Sequence, residues 1–349
     1  MTTYYVTGAA GWLGKNLINR LVRGFGDDEP VKIDLQQARI RALVLPGEEF
    51  ELEQWAEHVE IVTCDVRKAE SLANVFRDGQ DGILIHLAGV IHPRRFVSEF
   101  MKVNVEGSKN VIRAALNGNV GRAIVLSSNS PIGCNPSGDH LFDEDSPYQP
   151  YMGYGYSKML LENYVKHVHE TTSLDTVLIR APWFYGPFQP KRQTTFFEMI
   201  RDGRAPILGD GENLRSMVFL ENLVQGILLA AASSHAAGKV YWIADERPYT
   251  MNEIINTVEF LLANEFQVKC NFGRLRLPSF VGDVAYLCDW CFQKAGLYHQ
   301  KIHVLSEMNK NISCSVTKAK KELGYTPSIS LEEGMRQSIR YLVDTGALK

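Results

Sequence analysis

Three residue types that can move a proton stand where they could cooperate: Ser128, Tyr154 and Lys158. In Tyr154-Gly155-Tyr156-Ser157-Lys158 the phenol and the ammonium are four positions apart, which on a helix puts them one turn apart on one face. A free phenol titrates near pKa ~10, so work near neutral pH needs a drop of ~3 units, or ~4 kcal/mol of preferential stabilisation of the phenolate. A neighbouring cation and a charged cofactor push in that direction. The pair is a candidate general base. The same spacing also fits an ordinary solvated Tyr/Lys pair, so the elements around it must decide.

Those elements alternate between strand and helix. Tyr4-Tyr5-Val6 reads as a first strand, Thr7-Gly8-Ala9-Ala10-Gly11-Trp12-Leu13-Gly14 as a glycine turn, and Leu17, Ile18, Leu21 and Val22 as the apolar face of a helix. Glycines at 8, 11 and 14 let backbone approach a pyrophosphate, and a helix N-terminus offers it free N–H groups. The spacing G-x-x-G-x-x-G is one residue wider than the commonest dinucleotide fingerprint. Gly24 to Ala38 reads as a polar surface loop. Further strands are expected at 39–45, 59–66, 82–89 and 122–128, with a helix from Met101 to Leu116. Asp65 and Val66 close the third strand, and Leu87, Ala88 and Gly89 the fourth, leaving room for a flat ligand. Ser128 ends the fifth strand, where open α/β sheets bind ligands. His86 lies inside its strand and reads as a satisfied buried histidine. Between Ser128 and Tyr154 runs Asn129–Pro150, with the composition of a loop able to cover a cleft.

The 349 residues suffice for one large α/β unit and a smaller one. A net charge of −3 supplies no general attraction for nucleic acid or an anionic membrane. The N-terminus shows no secretory signal, so a cytoplasmic location is expected. Six scattered cysteines read as free thiols, and Cys288-x-x-Cys291, without a second pair, reads as two residues of one amphipathic helix rather than a zinc site. No metal is expected.

Taken together, these residues resemble the extended short-chain dehydrogenase/reductases, the group of sugar-nucleotide epimerases, dehydratases and ketoreductases. The resemblance rests on Gly8-x-x-Gly11-x-x-Gly14, Asp65-Val66, His86-Leu87-Ala88-Gly89, Asn104 in Val103-Asn104-Val105-Glu106-Gly107, Ser127-Ser128 and Tyr154-x-x-x-Lys158. It continues in Arg180-Ala181-Pro182-Trp183-Phe184-Tyr185-Gly186-Pro187, Gly209-Asp210-Gly211 to Arg215, and Leu323-Gly324-Tyr325-Thr326-Pro327. It implies a Rossmann-type, doubly wound parallel sheet with a smaller, discontinuous α+β substrate domain. Residues 1–182, joined by 216–245, would bind the dinucleotide, and 183–215 with 246–349 the substrate. Tyr154 would exchange a proton with the substrate, Lys158 would bind the nicotinamide ribose and hold the phenol's pKa down, Ser128 would hydrogen-bond the reacting oxygen, and Asn104 would support the lysine. The cofactor, NAD or NADP, would lie on Gly8, Ala10, Gly11, Trp12, Leu13, Gly14, Asp65, Val66, Leu87, Ala88, Gly89, Tyr154, Lys158, Ala181 and Pro182. Leu45-Pro46-Gly47 replaces the residue that usually separates the two cofactors, and Glu48 and Glu49 pull slightly toward NAD.

For the substrate, Arg215 resembles the arginine that meets a diphosphate, and Asn129 follows Ser128. Trp183 stands where sugar-nucleotide enzymes often carry asparagine; steroid and flavonoid ketoreductases of the family also lack that asparagine. An acid pair after Ser128 and the cysteine/histidine pair of a 3,5-epimerising reductase are both missing, so epimerisation through a ketone or simple alcohol/ketone redox remains. A nucleotide sugar is the favoured substrate. A hydroxysteroid-like or small-ketone reductase is the alternative, and a dinucleotide-binding regulator without turnover the third. Phe280–Leu297 reads as an amphipathic lid or core helix, too short and charged to span a bilayer, with a membrane-surface anchor as the other reading. Relatives suggest a homodimer built on Asn104–Leu116 and Tyr154–Glu170.

Overall fold

The computed structural model describes residues 2–24, 31, 38–77 and 79–348. The chain runs β1 (Thr3–Thr7), α1 (Trp12–Arg23), β2 (Arg39–Val44), β3 (Glu60–Thr63), β4 (Ile83–His86), α2 (Ser108–Asn117), β5 (Arg122–Ser128), α3 (Met152–Thr171) and β6 (Asp175–Ala181). It continues through β7 (Trp183–Tyr185), α4 (Lys191–Arg201), β8 (Pro206–Leu208), β9 (Leu214–Arg215), β10 (Met217–Phe219), α5 (Leu220–Ala232) and β11 (Val240–Trp242). Then follow β12 (Tyr249–Thr250), α6 (Met251–Phe260), β13 (Leu275–Leu277), α7 (Phe280–Lys294), α8 (Gln300–Glu307), α9 (Thr317–Leu323) and α10 (Leu331–Asp344).

Seven strands form one parallel sheet in the order β11-β6-β5-β4-β1-β2-β3. Alternation along each strand feeds two cores. Tyr4, Val6, Ile85, Ile124 and Val177 pack with α1, α5 and α9 on one face, whereas Tyr5, Leu84, Ala123, Val125 and Leu178 pack with α2 and α3 on the other. The Rossmann-type expectation is met. The order reverses between β1 and β4, the place where such sheets open a crevice at their carboxyl edge. A third core, containing Phe197, Ile207, Phe219, Ile254 and Met335, joins α4, α6 and α10 beside that edge. Asp245 ties this unit to the sheet: its carboxylate accepts hydrogen bonds from Tyr185 Oη (2.8 Å), Phe219 N (2.9 Å) and Asn222 Nδ2 (2.9 Å). Burial nevertheless pushes its pKa up to about 6.

Several expected boundaries moved for local reasons. The third strand stops at Thr63, because Asp65 N turns to Ser71 Oγ (3.1 Å) instead of a neighbouring strand. The fourth stops at His86, because Thr7 Oγ1 accepts Leu87 N (3.1 Å) and Ala88 N (3.2 Å). The helix expected from Met101 is a π-helical stretch, Phe100–Gly107, that runs into α2. Most of the 24–38 loop lies outside the described residues. Among the described residues no helix is long and apolar enough to cross a membrane, and no cluster of side chains could hold a metal ion.

Candidate active site

The catalytic candidates meet because α3 can press against the loop that leaves β5. A Cβ on Gly155 would lie 2.4 Å from Ser130 O, so only glycine allows this approach. Tyr151 N donates to Ser130 O (2.8 Å) and fixes the start of the helix. Tyr154 is thereby buried beside Phe100, 5.8 Å between ring centres, with Ser128 near enough to act on its phenol. Ser128 Oγ also accepts Ser130 N (3.3 Å) and donates to Asn129 Oδ1 (3.3 Å), so the hydroxyl is held at the strand end.

The electrostatics differ from the sequence expectation. Burial pushes the Tyr154 phenol up to about 12; the Ser128 hydrogen bond pulls it down, Glu307 pushes it up and Arg192 pulls it down. Lys158 Nζ instead donates to Leu126 O (2.9 Å), and burial brings its pKa down to about 8, with Glu162 one turn on acting in the opposite direction. In the protein alone burial therefore dominates, and the phenol stands above its ordinary pKa. Desolvation outweighs a cation that points at a backbone carbonyl.

Asn104 sits in the π-helical stretch, a type of irregularity often found at functional sites. Its side chain bonds Val90 in both directions, Val90 N to Oδ1 (2.8 Å) and Nδ2 to Val90 O (2.9 Å), and Nδ2 also reaches Ser157 Oγ (3.1 Å). It makes no direct bond to Lys158 but shapes the wall around it. A Cβ on Gly89 would stand 3.3 Å from Asn104 Oδ1 and 3.6 Å from Lys158 Nζ. His86 is a structural histidine, as expected. It bridges Thr7 Oγ1 (2.7 Å) and Ser108 Oγ (2.8 Å), and burial holds its pKa near 3, so it is neutral.

The glycine turn has the shape a dinucleotide needs. Gly8 adopts φ +67°, and a Cβ there would meet Ala88 N at 2.8 Å; one on Gly14 would meet Gly8 O at 2.2 Å. Gly11 is exposed at the N-terminus of α1, which has no side-chain cap and no acid in its first turn. Ala10 and Leu13 lie in this turn, and Trp12 Nε1 donates to Pro187 O (2.7 Å), closing the turn onto the chain after β7. Ala181 and Pro182 lie at the end of β6, next to β5. Asp65 is committed within the protein, because its carboxylate takes Arg67 Nε (2.9 Å), Nη2 (2.6 Å) and N (3.0 Å); Val66 follows it and accepts from Asn110 Nδ2 (3.0 Å). An uncapped helix start, a backbone cradle and a lysine behind Gly89 fit a nicotinamide dinucleotide.

On the far side of Tyr154, the chain supplies groups that sequence reasoning did not single out. Arg192 is solvent-accessible yet crowded enough that desolvation pulls its pKa down, and its charge acts on Tyr154, Tyr298 and His92. Glu307, at the end of α8, acts on Tyr154 and Tyr298. Arg215 Nη1 donates to Glu307 O (3.3 Å), and among the described residues no carboxylate pairs with Arg215 or Arg192. Trp183 Nε1 donates to Gln193 Oε1 (3.4 Å); both polar atoms of buried Gln189, and Nε2 of Gln193, find no partner among the described residues. Buried amide groups without partners are costly unless a ligand meets them. Arg215 and Trp183 were expected here from the sequence; Arg192 and the two glutamines had as their signal the polar, basic run Gln189–Gln193, and Glu307 had none.

Fold and site together define a dinucleotide-dependent enzyme of the extended short-chain dehydrogenase/reductase type. The sequence profile of the NAD dependent epimerase/dehydratase family matches residues 4–244, and the chain belongs to that family. The family's description as NAD dependent agrees with a nicotinamide dinucleotide cofactor and with the slight sequence preference for NAD. The chain is similar to the uncharacterized protein y4nL of Sinorhizobium fredii, 48% identical over 342 residues, 98% of this chain and 95% of that one. It is 26% identical over 357 residues to 3beta-hydroxysteroid-dehydrogenase/decarboxylase isoform 1 of Arabidopsis thaliana, covering 96% of this chain and 78% of that protein. Its fold matches that of UDP-glucuronic acid 4-epimerase from Bacillus cereus, solved in complex with UDP-glucuronic acid and NAD, with a TM-score of 0.74 at 17% identity over 98% of this chain and 99% of the other.

Proposed function

We propose that the enzyme oxidises or reduces one ring carbon of a nucleotide sugar, as a 4-epimerase or a 4-ketoreductase. The observation that carries the reading is Arg215, which lacks a carboxylate partner among the described residues and is anchored to Glu307, the residue whose charge reaches Tyr154. A guanidinium so placed can give two parallel hydrogen bonds to a diphosphate while the sugar reaches the phenol. The similarity in fold to an epimerase solved with a UDP-sugar supports the same substrate class. On this reading 1–182 with 216–245 hold the cofactor, and 183–215 with 246–349 hold the substrate.

A bound nicotinamide dinucleotide would accept the hydride in its oxidised form and give it back in its reduced form. Ser128 positions the reacting oxygen through a hydroxyl already fixed at the end of β5. Tyr154, protonated in the protein alone, is ready to give a proton to a ketone oxygen. To take one from an alcohol it needs more positive charge beside it, and Lys158 carries such charge below its pKa of about 8. Asn104 keeps the wall behind Lys158 in place. Asn129 and Trp183 line the substrate side. Two chains pairing through α2 and α3 as a homodimer, in the cytoplasm, complete the proposal.

Arg215→Met tests it. UDP, GDP or dTDP should bind the wild-type enzyme, and the variant should bind the preferred nucleotide roughly 10–100-fold more weakly, the loss of a charge-assisted bidentate contact, with NAD affinity unchanged. An unaltered nucleotide affinity in Arg215→Met, or no binding of any of the three at millimolar concentration, would sink the reading.

A further inference from the structure

Helix α7 is turned inside out. Its inward positions are Gly282, Ala285 and Asp289, whereas Phe280 (62% exposed), Val284 (52%), Leu287 (62%) and Trp290 (47%) point outward, with Cys288 and Cys291 on the same side. Spacings of three, four and seven place these side chains along one stripe. The orientation is fixed by polar contacts. Asp289 Oδ2 accepts from His303 Nδ1 (2.7 Å) and from Gln293 Nε2 (2.9 Å), and Gln293 Oε1 accepts from Gly153 N (2.9 Å) beside the start of α3. A Cβ on Gly282 would lie 2.5 Å from Asn309 Cγ, so the small face cannot rotate outward without a clash. The large apolar side chains are held out of the core by the same bonds that seat the helix on α8 and the catalytic helix.

The rim of the stripe is cationic. The segment Arg94-Arg95-Phe96 runs against the C-terminal end of α7 through the Phe96–Leu297 bridge and the bonds Val97 N to Gly296 O (3.2 Å) and Tyr298 N to Arg95 O (2.8 Å). Arg94, Arg95 and Phe96 are all exposed. Lys294 lies over the Trp290 ring (5.5 Å) and Arg95 over the Phe96 ring (5.1 Å). None of the three cations has an acidic partner among the described residues. Asp283, the one exposed acid of α7, is paired with Lys310 (2.6 Å). A second copy docked by two-fold symmetry would set this cationic rim against itself, whereas an anionic surface would neutralise it.

We propose that the outward face of α7, with Arg94, Arg95 and Phe96, docks on an anionic lipid bilayer. The apolar stripe enters the headgroup boundary with its aromatic residues at the interface, and the three cations meet lipid phosphates. The overall charge of −3 does not oppose this, because the patch is local and screening limits distant charges. Docking would hold the start of α3, and the cleft beside Tyr154, close to the membrane surface. The proposal stands on α7 and does not depend on the substrate reading.

The test is co-sedimentation of the NAD-loaded full chain with phosphatidylcholine vesicles, with and without about 30% phosphatidylglycerol, at about 0.1 M salt. Binding is expected to the anionic vesicles and to fall at least roughly tenfold on pure phosphatidylcholine, in Leu287→Asp and in Arg95→Glu. Val343→Asp, at an exposed apolar position of α10, should bind as wild type, and NAD affinity should stay constant throughout. If Leu287→Asp misfolds, Trp290→Ser takes its place. Absence of wild-type binding, equal binding of the α7 variants, or a wild-type dimer that Leu287→Asp converts to monomer would each overturn the proposal, the last by assigning the face to a second copy.

Discussion

Replacing Glu162 by glutamine should destabilise the enzyme strongly, because it breaks a fully buried ion pair from one side. Glu162 lies one turn beyond Lys158 on α3 and receives four hydrogen bonds: from Ser127 Oγ (2.6 Å), Tyr148 Oη (2.7 Å), Arg180 Nε (3.1 Å) and Arg180 Nη2 (2.8 Å). The two charged side chains are 0% and 1% exposed. The amide keeps the shape, but it turns one acceptor into a donor facing donors and strands a buried guanidinium. Breaking a buried pair from one side costs about 3–5 kcal/mol. With an unfolding entropy of ~2.1 cal/mol/K per residue over 349 residues, that corresponds to a fall in melting temperature of about 4–7 °C. Thermal denaturation followed by circular dichroism or calorimetry measures it. Adding Arg180→Met should recover much of the loss, because the cost lies in the stranded charge. A Glu162→Gln midpoint within about 1 °C of wild type would refute the reasoning, as would a double variant less stable than the single one.

Two further outcomes follow from the pKa directions. Lys158 titrates near 8 in the fold against 10.5 when free, so between those values the unfolded chain holds the extra proton and stability gains as pH rises. Wild type should therefore gain about 3 kcal/mol on Lys158→Met between pH 8 and 10.5, and a pH-independent difference in urea stability would contradict it; the cysteines and tyrosines that titrate in the same range cancel in the comparison. Tyr154→Phe should lower kcat by roughly 10²–10⁴-fold with NAD affinity within a few-fold of wild type, and full turnover with cofactor bound would remove Tyr154 from its role.

The candidate proton-moving set was legible because its geometry is local or lies at strand ends. Tyr154 and Lys158 share a helix face, Ser128 closes a strand, and the glycine turn needs only its own backbone to be recognised. Where sequence reasoning went astray, a longer-range contact had taken over. Ser71 Oγ shortened β3, Thr7 Oγ1 ended β4, and burial raised the Tyr154 phenol that the sequence expected to be lowered. Glu162 was one helical turn from Lys158 and still passed unnoticed, because its partners Ser127, Tyr148 and Arg180 come from three separate segments.

By itself the sequence determined the order of strands and helices, the glycine turn, the candidate proton-moving residues and the family, since each depends on residue type at short spacing. Only the tertiary structure decided that burial raises the Tyr154 phenol, that the charges of Arg192 and Glu307 act on it while Arg215 bonds the Glu307 carbonyl, and that α7 turns its apolar side outward. The physical reason is the same in each case. Desolvation, charge proximity and the facing of a helix are set by neighbours distant in sequence, and residue spacing along the chain carries no record of them.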